Sequence, residues 1–269
     1  MDRLHDRVIL ITGSTGIAAA TADRCVAEGA RVFIVSRTAE HAQALGERLG
    51  AEWAAWTTAD LTAEAEVGAA VTAAVERFGR IDGLFSAAGG SGRRFGDGPI
   101  HELTADAWEA TVTLNLRTQV LTCAAVVRQM LAQAPATSGS RGSILLLGSV
   151  TTSDPSPELF ATHAYAAAKG ALTALMTTMA ATYATDGIRV NIVAPSLTRT
   201  PMAQRAANDP EILAYARRKQ PLAGEMLDPD EVAKAAIFFL SDESRVVTGQ
   251  MLKVDGGWSV LSVSPEAAP

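Results

Sequence analysis

Short apolar runs alternate with stretches whose apolar positions recur every three to four residues, from one end of the chain to the other. VILI (8–11) and RVFIV (31–35) lack the alternation of a half-exposed strand and read as strands buried on both faces. Between them, IAAATADRCVAE reads as a helix ended by Gly29. AEHAQALGERL follows Thr38, which takes the N-cap position, and stops at Gly50. A third strand is predicted around Trp53 and Trp56, and Val67, Val71, Val75 and Phe78 mark a helix that Gly79 closes. GLFS (83–86) and SILLL (143–147) supply strands four and five, separated by a long helix through Asn115 to Met130. IRVNIV (188–193) and MLKV (251–254) are strands six and seven.

Continuous apolar strands joined by crossover helices predict an α/β architecture, a doubly wound parallel sheet of seven strands covered on both faces. No repeat or linker divides the 269 residues, so a single domain over 1–269 is expected, with 262–269 as a loose tail. Turn-rich segments at 151–163 and 196–210 follow strands, at the carboxyl edge where such sheets bind ligands. A third, at 133–142, precedes one.

With 48% hydrophobic and 19% charged residues, a large buried core is expected. A net charge of −6 argues against a nucleic-acid partner, and Arg217, Arg218 and Lys219, the one dense basic run, read as a solvated helix face. Cys25 and Cys123 sit in apolar helical patterns, as buried free thiols do in a reducing compartment. No signal-like core and no run approaching a span of ~18 apolar residues is seen, so the expectation is a cytoplasmic protein without a membrane partner. The four His (5, 41, 101, 163) have no ligand spacing, and no metal site is expected.

Two patterns carry chemistry. The first strand runs into Thr12-Gly13-Ser14-Thr15-Gly16 at the start of a helix, where glycines let a pyrophosphate approach the backbone and the helix N-terminus supplies N–H donors. In YAAAK, Tyr165 and Lys169 are four residues apart and share one helix face. A Tyr titrates near ~10. An adjacent ammonium would favour the phenolate and pull it toward acid/base range.

With these motifs the chain resembles the short-chain dehydrogenase/reductase family, in its compact single-domain, Rossmann-like branch, from Val8 to about Trp258. The resemblance implies an NAD(P)-dependent alcohol dehydrogenase or carbonyl reductase whose catalytic set is Asn115, in TLNLRTQV, Ser149, at the end of SILLLGS, Tyr165 and Lys169. Tyr165 would move a proton to or from the substrate oxygen, Ser149 would bond that oxygen, and Asn115 would hold a water linking Lys169 to solvent. It further implies a cofactor site from Gly13, Ser14, Thr15, Gly16, Ile17, Arg37, Asp60, Leu61, Ala87, Thr198 and Thr200, together with Tyr165 and Lys169, and a homotetramer packed through the helices carrying Asn115 and Tyr165.

The pattern departs from the family in places. Only Ser14-Thr15 separates the first two glycines, and Ile17-Ala18-Ala19 follows, closer to the TGxxGxxG spacing of the extended branch. Ser86-Ala87-Ala88-Gly89 replaces Asn-Asn-Ala-Gly, Pro195-Ser196 replaces Pro-Gly, and the gap from Ser149 to Tyr165 is a few residues long. A nucleotide-binding regulator without turnover, or an isomerase or dehydratase using NAD(P) transiently, therefore stand as alternatives. Cofactor choice turns on the end of strand two, where an acid would bond the adenosine ribose and repel a 2′-phosphate. Ser36 stands there and Arg37 follows, so NADP is expected, with NAD possible. Arg93 and Arg94, after strand four, are either a solvated pair or a site for an anion, and His163 is either a loop residue or a substrate contact. Phe95, Phe160 and Met202 are expected to give the pocket an apolar wall.

Overall fold

The fold is described from a computed structural model covering residues 2–262, so the tail expected at 262–269 lies outside the described residues beyond Ser262. The strands are β1 (Val8–Thr12), β2 (Arg31–Ser36), β3 (Ala54–Thr58), β4 (Gly83–Ser86), β5 (Gly142–Leu147), β6 (Ile188–Pro195) and β7 (Met251–Val254). They form one parallel sheet in the order β3-β2-β1-β4-β5-β6-β7. The strand order reverses at β1, which opens a crevice at the carboxyl ends of β1 and β4.

Successive side chains of β1 explain why the sheet is covered on both faces. Val8 and Leu10 point into a core shared with α3 (Glu64–Phe78), α5 (Thr118–Ala132) and α7 (His163–Tyr183). Ile9 and Ile11 point into the opposite core, formed with α1 (Gly16–Ala27), α2 (Ala39–Leu49) and α10 (Pro229–Leu240). Each such side chain contributes about 1.5–3 kcal/mol by leaving water. β3 lies at one edge, and Trp56 is partly exposed there, so the third strand is less buried than the central strands.

The helix expected from Asn115 to Met130 starts earlier. It runs unbroken over Ala105–Ala132, as α4 (Ala105–Val112), one widened π turn at Thr113–Arg117, and α5. By length and composition it is apolar enough to cross a membrane, with a mean hydropathy of 1.2, but half of that window is buried in the protein. Its apolarity serves the core.

The turn-rich segments also hold short helices, α6 (Pro157–Phe160), α8 (Gln204–Ala207) and α9 (Pro210–Lys219). Lys219 corrects the expected solvated basic face. It is buried, with Nζ donating to the Leu261 carbonyl at 2.6 Å and lying 3.3 Å from Asp154 Oδ2, because the chain beyond β7 folds back across α9. Cys25 and Cys123 are free and buried, and burial pushes the Cys123 thiol up to about 12.

Candidate active site

The crevice floor begins where β1 ends. Gly13 N–H donates to the Val35 carbonyl at 2.8 Å, which ties the glycine turn to β2. Gly13 and Gly16 both have positive φ, and a Cβ on Gly16 would come within 2.8 Å of Thr200 Cγ2. Thr15 is the N-cap of α1, yet its hydroxyl makes no capping bond, so the first-turn N–H groups have no side-chain acceptor there. Ser14 Oγ donates to Ser36 Oγ at 2.9 Å, so the hydroxyl at the end of β2 is already engaged, and Arg37 extends, exposed, beside it.

The turn after β4 lacks the family's paired Asn but is held all the same. Thr12 Oγ1 accepts from Ala87 N at 2.9 Å and from Ala88 N at 3.0 Å. Asn115, in the π turn and fully buried, clamps the next residues: its Oδ1 accepts from Gly90 N at 3.0 Å, and its Nδ2 donates to Gly90 O at 2.9 Å and to Thr111 O at 3.0 Å. Gly89 is required here, since a Cβ would sit 2.7 Å from Asn115 Oδ1. Both amide hydrogens of Asn115 therefore bond backbone.

Across the crevice, Ser149 follows β5, with Oγ 2.9 Å from Thr151 Oγ1. Tyr165 and Lys169 lie on one face of α7, with Lys169 Nζ 5.8 Å from the Tyr165 ring centre. Lys169 Nζ donates to the Leu147 carbonyl at 2.7 Å. With its amide oriented to satisfy both neighbours, Gln119 donates to Ser86 O at 3.0 Å and accepts from Lys169 Nζ at 3.2 Å. Burial pulls Lys169 down to about 7. Burial raises the Tyr165 phenol above its ordinary value, and its hydrogen bond with Ser149 acts in the opposite direction. Desolvation disfavours charge on both groups, whereas the positive charge of an oxidised nicotinamide would favour the phenolate.

One residue that fixes this geometry gave no signal in the sequence reading. Asp97, buried in the loop after β4, accepts from Ala164 N at 3.0 Å and from Tyr165 N at 2.9 Å. A carboxylate 67 residues away in sequence thus supplies acceptors for the first turn of α7, where Thr162 makes no capping bond.

These elements enclose a cavity of about 710 Å3. Of the residues expected in the site, Gly13, Ser14, Thr15, Gly16, Ile17, Arg37, Ala87, Ser149, Tyr165, Thr198 and Thr200 line it. Lys169 and Asn115 lie buried behind the wall. Asp60 and Leu61 are not brought to the cavity: Leu61 packs in the core, and Asp60 bonds the Thr62 amide and hydroxyl, which hold its carboxyl below the usual range. His163 is exposed and bonds the Gly98 carbonyl at 2.8 Å, away from the lining. Phe160 and Met202 form the apolar wall as expected, whereas Phe95 lies under the Arg94 guanidinium at 4.5 Å. Trp258 takes a place in the wall that the sequence reading did not give it, in edge contact with Phe160 and Tyr215.

Comparison with known proteins bears directly on this arrangement. The protein family described as Enoyl-(Acyl carrier protein) reductase matches residues 11–259. Momilactone A synthase of Oryza sativa subsp. japonica is 37% identical over 97% of this chain and 93% of its own length. This chain belongs to the short-chain dehydrogenase/reductase family. 2-(S)-hydroxypropyl-CoM dehydrogenase 3 of Xanthobacter autotrophicus is 35% identical over 97% of this chain and 99% of its own. The crystal structure of levodione reductase superposes with a TM-score of 0.84 at 32% identity, covering 96% of this chain and all of that one. As a member of the family, the protein is an enzyme, an oxidoreductase of secondary alcohols and ketones that works with a nicotinamide cofactor.

Proposed function

We propose that this short-chain dehydrogenase/reductase interconverts a secondary alcohol and a ketone with NADP(H), using Tyr165 as the general acid/base. The observation that carries this reading is that Tyr165 and Ser149, with Lys169 buried behind them, line the same cavity as the glycine turn and Arg37. The hydroxypropyl dehydrogenase and the levodione reductase are named for reactions of the same kind, which supports it.

The residues present fit a nicotinamide dinucleotide. The closely packed Gly16 and the uncapped start of α1 form a cradle for a pyrophosphate, with Gly13, Ser14, Thr15 and Ile17 beside it and Thr198 and Thr200 opposite. When bound, that cofactor carries the hydride to or from the substrate carbon. Tyr165 then gives its proton to the ketone oxygen, or takes one from the alcohol, while Ser149 Oγ bonds the same oxygen and holds it in line. Protonated Tyr165 suits the donating role in reduction, and its phenolate the accepting role in oxidation. Lys169, pulled down to about 7 by burial, takes a proton from solvent as the phenolate forms. As an ammonium one turn away it stabilises the phenolate, and it passes that proton to the Tyr165 oxygen to restore the phenol. Asn115 acts as the clamp of Gly90, and in that way holds the wall against which the substrate is oriented.

Ser36 brings no charge against a 2′-phosphate, and Arg37 can bind one through a planar fork. A charge-assisted contact of ~1.5–3 kcal/mol would favour NADP over NAD by roughly tenfold to a hundredfold. A homotetramer packed through α5 and α7 completes the reading, supported by Val120 and Leu131, which stand exposed on α5. The test is a panel of ketones and secondary alcohols followed by nicotinamide absorbance with each cofactor. NADPH-dependent reduction of at least one ketone is expected, and no turnover with any member and either cofactor contradicts the reading.

A further inference from the structure

We propose that the substrate carries a carboxylate or a similar oxyanion, held by Arg93 and Arg205 in the cavity that Tyr165 lines. This rests on the oxidoreductase reading above and names the class of its substrate.

The first observation is one of charge. Among the described residues, every charged side chain lining the cavity is an arginine: Arg37, Arg93, Arg94 and Arg205. This is so in a chain with 29 acidic and 23 basic residues, whose overall field repels anions. An acidic protein that presents only cations to its cavity selects for negative charge inside it. The cofactor is itself an anion, so position has to separate its share from the substrate's.

Arg37 sits at the end of β2, on the ribose side of the glycine turn. Arg93 sits two strands over, in the turn after β4, on the same loop as Asp97, whose carboxylate bonds the Tyr165 amide. Arg93 reaches the Leu159 carbonyl, next to the wall residue Phe160, whereas Arg37 follows Ser36, whose hydroxyl bonds Ser14 of the glycine turn, so the two arginines attach to different parts of the lining. Arg94 is laid over the Phe95 ring.

The second observation is that Arg93 and Arg205 converge. Arg93 Nη2 donates to the Leu159 carbonyl at 3.1 Å, and Arg205 Nη2, from α8, donates to the same oxygen at 3.3 Å. Two guanidiniums are thereby brought together at one neutral acceptor. Neither forms an ion pair among the described residues. Asp97, whose charge acts on Arg93, spends both carboxylate oxygens on α7. The mutual repulsion of the pair is relieved by an oxyanion between them. Among the described residues each guanidinium is engaged at Leu159 through one nitrogen, which leaves its other donors to bond that oxyanion. Phe160, Met202 and Trp258 line the same cavity, which suits an apolar body carrying an anionic tail.

The test uses the NADP-saturated protein and two probes of one shape, cyclohexanecarboxylate and the neutral cyclohexanecarboxamide, with binding measured by calorimetry. The carboxylate is expected to bind at least ~10-fold more tightly, as a charge-assisted contact implies. Arg93→Met and Arg205→Met should each remove most of that preference, with carboxamide and NADP affinities unchanged. Equal binding of acid and amide overturns the proposal. So does a variant that loses NADP affinity while keeping the preference, because the pair would then serve the cofactor. Turnover of 4-oxocyclohexanecarboxylate and its methyl ester gives the second arm, where a lower KM for the acid, lost in both variants, is expected. If neither ketone is reduced while the binding preference holds, the anion site stands and the ring chosen for the ketone is wrong. No turnover across the whole ketone and alcohol panel, with the preference intact, is what would overturn the oxidoreductase reading.

Discussion

Replacing Asp97 with Ala tests whether a distant carboxylate positions the reacting phenol. Asp97 is 3% exposed and receives two backbone N–H bonds, at 3.0 Å from Ala164 and 2.9 Å from Tyr165. Each is a hydrogen bond to a charged acceptor, and its loss leaves a buried donor unmade at a cost of ~1–3 kcal/mol. Water entering the vacated space recovers part of this, so a net loss of about 2–4 kcal/mol is expected. At this chain length that lowers Tm by roughly 5–15 °C. The catalytic effect is separate. The first turn of α7 carries Tyr165 on one of the two freed amides, and a shift of about 1 Å at a reacting group costs ~100-fold. Asp97→Ala should therefore lower kcat by roughly 10- to 100-fold, with NADP affinity unchanged because the glycine turn and Arg37 make no bond to Asp97. Asp97→Asn keeps one acceptor but turns an N–H toward an N–H, and should lose nearly as much. Thermal unfolding and steady-state kinetics on the same preparations decide the matter. A normal kcat with a lowered Tm would refute the positioning role, and a normal Tm would refute the cap itself.

Three further outcomes are expected. Arg37→Ala should erase most of the preference for NADP while leaving NAD affinity nearly unchanged, as read from binding constants for the two cofactors; equal affinities in the unmodified protein would contradict the role given to Arg37. Lys169 is near 7 in the fold against ~10.4 in the unfolded chain, so between those values the unfolded state binds more protons and stability rises with pH. The rise in Tm from pH 7 to 9 should be smaller in Lys169→Met than in the wild type, and parallel profiles would contradict the buried, depressed ammonium. Light scattering should report a homotetramer at micromolar concentration, and a stable monomer would count against the packing of α5 and α7.

The parts of the fold legible in the sequence were those whose physics is local. β1, β2, β5 and β6 are continuous apolar runs because both faces are buried, and the glycine turn and YAAAK carry their chemistry in adjacent residues. Edge strand β3 was harder to bound, since its burial alternates and Trp53 falls just outside it. What escaped was made of contacts between segments far apart. Thr12 holding the Ala87–Ala88 turn links positions 75 and 76 residues apart, and Asp97 meets α7 from another loop. Trp258 enters the cavity wall only because the chain after β7 folds back. Lys219 read as solvated because its helix looks amphipathic, and nothing local says that Asp154 and the Leu261 carbonyl will cover it. The π turn at Asn115 likewise has no pattern of its own, for TLNLR is as compatible with an ordinary helix.

The central claim is that the phenol oxygen of Tyr165 moves the proton. The most direct measurement is kcat for ketone reduction by Tyr165→Phe, with cofactor affinity and Tm measured on the same protein. The ring stays, so the helix face and the cavity wall are kept and only the hydroxyl is lost. A loss of at least ~100-fold in kcat with unchanged cofactor affinity and Tm is predicted, the size expected for removal of a general acid/base. Turnover within a few fold of the wild type would contradict it.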